Sequence, residues 1–84
     1  MTQNKNIILV YGTRWCGDTQ RVCRFLDEHG VSYQFIDIDR DKKAEAFVRK
    51  TNDGARSVPT IVLPGGMTLT EPNIKTLAQS LGIQ

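Results

Sequence analysis

The sequence predicts an α/β fold, with one mixed four-stranded sheet flanked by three helices in the order βαβ-α-ββ-α. Two observations carry this. First, the apolar run Ile7 to Tyr11, a helical pattern over residues 20–28 and a second strand-like run from Val31 to Ile38 make a strand–helix–strand unit. Such a unit implies a right-handed crossover and a parallel pair. Second, two later apolar runs flank Pro64-Gly65-Gly66. That turn signal implies a hairpin and an antiparallel pair.

Taken in order, Ile7-Ile8-Leu9-Val10-Tyr11 is a continuous apolar run and reads as a buried strand. Val22, Cys23, Phe25 and Leu26 lie among Gln20, Arg21, Arg24, Asp27 and Glu28, which predicts an amphipathic helix. Glu28-His29-Gly30 stops it, with glycine available for a left-handed residue after the last turn. Val31, Tyr33, Phe35, Ile36 and Ile38 alternate loosely as a second strand. The polar stretch Asp37 to Asp41 caps a short helix from Lys42 to Lys50, whose apolar positions are Ala44, Phe47 and Val48. Thr51-Asn52-Asp53-Gly54 ends that helix, and Thr60 to Leu63 follows as a third strand. Met67-Thr68-Leu69 returns as a fourth. Glu71-Pro72 opens the last helix with proline in its first position, Ile74, Leu77, Ala78 and Leu81 give its apolar face, and Gly82 ends it.

Eighty-four residues form a single domain, 1–84, held by one modest core. With 39% hydrophobic and 24% charged residues, the chain has the composition of a globular protein rather than a disordered one. A net charge of +2 is too weak to imply a nucleic-acid partner. Ile7 to Tyr11 is too short for a membrane span or signal peptide and follows polar residues 2–6, so a cytoplasmic protein with no membrane partner is expected. The cysteines, Cys16 and Cys23, lie seven residues apart. On one helix that is about 10 Å along the axis. A disulfide requires Cα atoms within roughly 7 Å. They are not a structural staple, which fits a reducing compartment.

Trp15-Cys16-Gly17-Asp18-Thr19 holds a cysteine at a strand-to-helix turn. Unpaired backbone N–H groups and the positive dipole end favour thiolate over thiol there, and thiolate is the nucleophile. Arg14, Arg21 and Arg24 are read either as a positive field over that sulfur or as solvated surface residues. Thr19 either donates its hydroxyl to Cys16 or is an ordinary first-turn threonine. Asp18 opposes the thiolate charge yet suits the positive helix end. Cys23 reads as a small core filler, with a semi-resolving thiol as the sharper alternative that the spacing disfavours. His29 reads as a helix C-terminal residue, and one histidine with two distant cysteines makes no zinc site. Trp15 reads as a partly exposed contact for substrate proteins or as a packing residue.

Three motifs in order carry a resemblance: Trp15 to Thr19 after a strand, Ser57-Val58-Pro59-Thr60 before another, and Gly65-Gly66 with Thr70-Glu71. Together, from Ile7 to Leu81, they resemble the glutaredoxin family, in particular the bacterial glutaredoxin-like proteins that include mycoredoxins and the small redoxins serving ribonucleotide reductase. The resemblance implies the thioredoxin fold, in agreement with the element order. It also implies a cis Val58–Pro59 peptide facing Cys16, with the Val58 backbone pairing to an extended thiol peptide such as glutathione as an added strand does. Thr70 and Glu71 stand where the family places a Ser/Thr-Asp pair on the γ-glutamyl end. Glu71 would lie at a helix N-terminus, on the ligand's ammonium, its extra methylene moving the carboxylate. The family's lysine before the cysteine is absent here, where Thr13 and Arg14 stand, and in this reading Arg14 with Arg49 or Arg56 binds the ligand carboxylates. Thr19 replaces the second cysteine of dithiol members, and Cys16-Gly17-Asp18-Thr19 also departs from the Cys-Gly-Phe-Ser of monothiol members. Its glycine and hydroxyl point to the monothiol side, while Trp15 and Asp18 resemble the mycoredoxin side.

What the resemblance implies is a thiol–disulfide oxidoreductase of cell redox homeostasis that reduces glutathione-type mixed disulfides by a monothiol mechanism. Cys16 is the nucleophile and Thr19 its helper. Glutathione or a mycothiol-like small thiol is the co-substrate, and protein disulfides or mixed disulfides are the partners. A monomer without a bound metal is expected. One alternative is a [2Fe–2S] carrier, with two Cys16 thiolates of a dimer and two glutathiones as ligands. Another is a binding protein whose catalysis is weak.

Overall fold

A computed structural model of the chain describes residues 7–83, so the polar lead-in at residues 2–6 lies outside the described residues. The elements are β1 (Ile8–Gly12), α1 (Gly17–Glu28), β2 (Tyr33–Asp37), α2 (Lys42–Thr51), β3 (Thr60–Val62), β4 (Thr68–Thr70) and α3 (Ile74–Leu81). They form one sheet of order β2-β1-β3-β4, with β1 parallel to β2 and antiparallel to β3, and β3 antiparallel to β4. This is the predicted element order, with its mixed sheet and three helices.

The boundaries move for reasons that lie in the pairing. β1 runs one residue later than the apolar run because its ladder to β2 extends to Gly12 opposite Asp37. β2 is shorter than Val31 to Ile38, and Val31 packs beside the core ahead of the strand. In the hairpin, Leu63 N–H donates to the Met67 carbonyl at 2.8 Å, so Met67 closes the turn and β4 pairs from Thr68 to Thr70. Gly65 and Gly66, at φ 95° and 100°, supply the backbone this tight return needs. Pro72 is outside α3 rather than in its first position. The helix is capped by Asn73, whose carboxamide oxygen accepts from Thr76 N–H at 2.8 Å.

The sheet separates two apolar layers because successive strand side chains point to opposite faces. On one face, Ile8, Val10, Ile61 and Leu63 pack with Val22 and Leu26 of α1 and Leu77 of α3. On the other, Ile38 packs with Ala44 and Val48 of α2, bordered by Tyr11, Ile36 and Val58. α1 ends at His29, and Gly30 follows at φ 65°. α2 begins on Asp41, whose carboxylate accepts from Ala44 N–H at 3.0 Å. Among the described residues, no helix is long and apolar enough to cross a membrane.

One close approach decides where α1 begins. A Cβ on Gly12 would lie 2.6 Å from both Cγ2 and Oγ1 of Thr19, so β1 presses directly on the first turn of α1 only because this residue has no side chain. The residues between them, 13–16, are thereby fixed over the carboxyl end of β1.

Candidate functional site

Cys16 is the N-cap residue of α1, with extended backbone (φ −80°, ψ 122°), and its thiol is free and half-buried. Its amide donates to the Thr13 carbonyl and its own carbonyl accepts from Gln20 N–H at 3.1 Å, which starts the helix. No side chain caps α1, so its first-turn amides remain available to a negative charge. Cys16 Sγ lies 3.9 Å from the carbonyl oxygen of Val58, and the Val58–Pro59 peptide is cis. The Pro59 carbonyl in turn accepts from Glu71 N–H at 2.8 Å. Three connections therefore converge: the loop before α1, the loop before β3 and the loop before α3. A sulfur is set beside backbone at the start of a helix, which suits a thiol that must be reached by another sulfur on an extended chain.

Thr19 is placed differently from the expected donor. It is only 2% exposed, it presses on Gly12, and its hydroxyl has no hydrogen-bond partner. The Thr19–Cys16 hydrogen bond is thus not formed, because packing against β1 holds the side chain in the core. The Thr13 hydroxyl, fully buried, is likewise unpartnered.

The expected free cations are already engaged. Arg14 Nε lies 3.5 Å from the Asp37 carboxylate, which Arg40 also approaches, at 4.0 Å. Arg21 pairs with Asp18 on the same helix face. Arg49 donates to Glu45 at 3.3 Å and to the Gly54 carbonyl at 3.0 Å. Arg56 donates to Glu45 at 2.8 Å and also pairs with Asp39. Hydrogen bonds from Trp15 and then Arg56 hold the Asp39 carboxyl below its usual range, and Arg56 does the same for Glu45. Acidic residues at the end of β2, in the loop after it and on α2 thus pair with Arg14, Arg56 and Arg49 internally. Sequence spacing finds the Arg49–Glu45 pair, one turn apart on α2, but not Arg14–Asp37 or the two Arg56 pairs, whose residues lie 11 to 23 positions apart.

Thr70 and Glu71 also stand apart from their expected roles. Thr70 Oγ1 donates to Asn52 Oδ1 at 2.6 Å. Asn52 Nδ2 donates to the Val48 carbonyl at 2.8 Å and to Thr60 Oγ1 at 3.1 Å, and Thr60 Oγ1 donates to the Ser57 carbonyl at 2.8 Å. Thr70 therefore fastens β4 to the end of α2 and the loop before Val58. Glu71 lies two residues ahead of the α3 cap, at φ 47°, rather than at the helix start. It does line a hollow of about 210 Å³ between the first turns of α1 and α3, with Asp18, Arg21, Val22, Pro72, Asn73 and Ile74. Reading Glu71-Pro72 as the helix start passes over Asn73, although an Asn directly before a helical apolar pattern is a cap signal. Asp39, which holds Trp15 Nε1–H at 2.8 Å, carried no such signal.

Cys23 belongs to the core side of α1. Burial pushes its thiol up, against a hydrogen bond with Tyr33 that lowers it, and the charge of Asp27 adds to the rise. The same burial, with the Asp27 hydrogen bond, raises the Tyr33 phenol. His29 Nδ1 donates to the Phe25 carbonyl at 2.9 Å and its ring stacks on Phe25, as a helix C-terminal residue does.

The sequence profile described as Glutaredoxin matches residues 8–67. The chain is 37% identical to mycoredoxin 1 of Corynebacterium glutamicum over 65 residues, covering 77% of this chain and 80% of that protein. Its fold superposes on a mutant of a thioredoxin-like protein with a TM-score of 0.80 at 30% identity, covering 92% and 96% of the two chains. The glutaredoxin of Archaeoglobus fulgidus follows at a TM-score of 0.71 and 27% identity, covering 88% and 84%.

Proposed function

Since the chain belongs to the glutaredoxin family, we propose that it is a thiol–disulfide oxidoreductase that works with one sulfur, Cys16, on mixed disulfides of a small thiol such as glutathione. The observation that carries this reading is the half-exposed Cys16 Sγ at the uncapped start of α1, 3.9 Å from the Val58 carbonyl. The first-turn amides stabilise an anionic sulfur. The Val58 backbone offers an edge on which an extended thiol peptide can lie.

The exchange runs in two steps. The Cys16 thiolate attacks the glutathione sulfur of a glutathionylated protein. A sulfur–sulfur bond forms to Cys16 as the old one breaks, and the protein sulfur leaves as a thiolate that takes up a proton. A second glutathione thiolate then attacks the glutathione sulfur of the Cys16 mixed disulfide, which yields oxidised glutathione and returns the Cys16 thiolate. Cys23 has no part in either step. It is one face and two turns along α1 from Cys16, and burial keeps it a thiol. Trp15, 68% exposed and next to Cys16 in the chain, and Glu71, on the hollow between α1 and α3, supply contact surface for the substrate in this reading. Arg14, Arg56 and Thr70 act in this reading by holding the loops that carry Cys16, Val58 and Pro59, through their bonds to Asp37, Asp39 and Asn52.

The test follows release of a glutathionylated peptide with glutathione or mycothiol as the second thiol. Cys16→Ser abolishes release and Cys23→Ser leaves it within about twofold, since only the first removes the attacking sulfur. Equal loss in both variants would overturn the assignment.

A further inference from the structure

We propose that Asp39 is the positioning residue of this site: one carboxylate fastens the exposed indole of Trp15 to the loop that carries Val58, and so sets how well the thiol substrate is held without entering the exchange at Cys16. The proposal rests on the exchange reading above.

The two oxygens of Asp39 are divided between the two sides of the sulfur. Oδ2 accepts from Trp15 Nε1–H at 2.8 Å, and Trp15 is the residue before Cys16. Oδ1 accepts from the Arg56 guanidinium, and Arg56 is two residues before Val58, whose carbonyl faces Cys16 Sγ. Arg56 is itself held by Glu45 of α2, at 2.8 Å. Asp39 is fixed from behind, since its amide donates to Asp37 Oδ1 at 3.0 Å and its neighbour Ile38 is buried in the core. Asp37 faces two cations, Arg14 and Arg40, and Arg56 divides its charge between Asp39 and Glu45, so the groups that meet Asp39 directly are one shared cation, Arg56, and one neutral donor, Trp15.

Exposed ion pairs do little for stability, so these bonds do not exist chiefly to hold the fold. Their effect is on order. Trp15 is 68% exposed and beside the nucleophile, where an unheld indole would have to be immobilised each time a substrate binds. A hydrogen bond to an ionised acceptor is among the strong ones, and it fixes the ring in advance. The same carboxylate ties down the Arg56 loop. Substrate then meets a rim already assembled on both sides of the sulfur.

Trp15 is the chain's single tryptophan, so its fluorescence reports this contact alone. The experiment compares the full chain with Asp39→Ala and Asp39→Asn, using a glutathionylated peptide as substrate. Asp39→Ala lowers the steady-state anisotropy of Trp15 and raises KM by about fivefold with kcat within about twofold, because the ordering cost passes to the substrate. Asp39→Asn keeps an acceptor for the indole but loses the charge facing Arg56. Its anisotropy stays near that of the unsubstituted protein while its KM is intermediate. Unchanged anisotropy in Asp39→Ala overturns the proposal, as does a fall in Tm with KM unchanged, which marks a merely structural role. Absence of turnover in the unsubstituted protein overturns the exchange reading instead, and with it the substrate-holding half of the proposal.

Discussion

At the scale of single residues, the most informative side chain is one that does not do what its position suggests. Thr19 follows the proposed nucleophile by three residues, yet its hydroxyl is turned into the core with no partner. A buried hydroxyl without a hydrogen bond is a liability that an isosteric apolar group removes. Thr19→Val is therefore expected to leave thermal stability unchanged or raise it, by up to about 1 kcal/mol, and to leave peptide deglutathionylation within about twofold. Chemical denaturation and the turnover assay check both halves. A tenfold loss of turnover in a stable Thr19→Val protein would show that the hydroxyl reaches the sulfur during reaction. Asp39 is the opposite case, a residue without a motif whose two oxygens bridge residues 24 and 17 positions away. Folding lowers its pKa, chiefly through the Trp15 hydrogen bond and then through Arg56. Its contribution is therefore whole above the free carboxyl's 3.8 and fades only as pH falls through the lowered value. The Asp39 carboxyl, followed by NMR, should titrate with a midpoint below 3.8. A midpoint at or above that value would contradict the contact.

At the scale of elements, the placement of Cys16 depends on how closely β1 meets α1. The absent side chain of Gly12 leaves room for Thr19, since a Cβ there would come within 2.6 Å of two of its atoms. Gly12→Ala is expected to destabilise the fold by about 1–3 kcal/mol, the usual cost of overpacking a tight contact. Combining it with Thr19→Ala, which removes both clashing atoms, should recover much of that loss, because the two sites are coupled through one contact. Additive losses in the double mutant would show that Gly12 is required for some other reason. The elements themselves were legible in the sequence where their signals are local. The helical spacing of Val22 and Leu26, the capping stretch Asp37 to Asp41 and the Gly65-Gly66 turn each read from a few adjacent residues, and each is present in the structure, with Asp41 as the residue that caps. Ends set by distant partners were less legible. β1 gains Gly12 from Asp37 on β2, and β4 gains Thr70 from Thr60 on β3. Pro72 suited a first helical position by its own preferences, but Asn73 supplied the better cap one residue later.

At the scale of the whole molecule, the order β2-β1-β3-β4 places the carboxyl end of β1 beside the loop entering β3, which sets Cys16 next to Val58 and Pro59. Periodicity marks the element boundaries on which the two motifs lie, while that they meet was legible only through the family resemblance. It does not disclose the charge arrangement around them. Arg14, Arg49 and Arg56 read as free ligands for carboxylates, whereas the fold brings Asp37 to Arg14 and both Asp39 and Glu45 to Arg56, and Glu45 also meets Arg49 one turn along α2. Ion pairs between elements follow from three-dimensional distance, and the residue types alone permit many pairings. The result is a site with a half-buried thiol and a backbone edge, walled by loops that acidic residues tie together. The central claim is that Cys16 alone accepts the small thiol, and the most direct measurement is intact and peptide mass spectrometry of the reduced protein after a short exposure to a glutathionylated peptide. The account predicts one glutathione per chain, on Cys16, released on adding a second thiol. A glutathione found on Cys23, or none on Cys16 while the peptide is reduced, would contradict it.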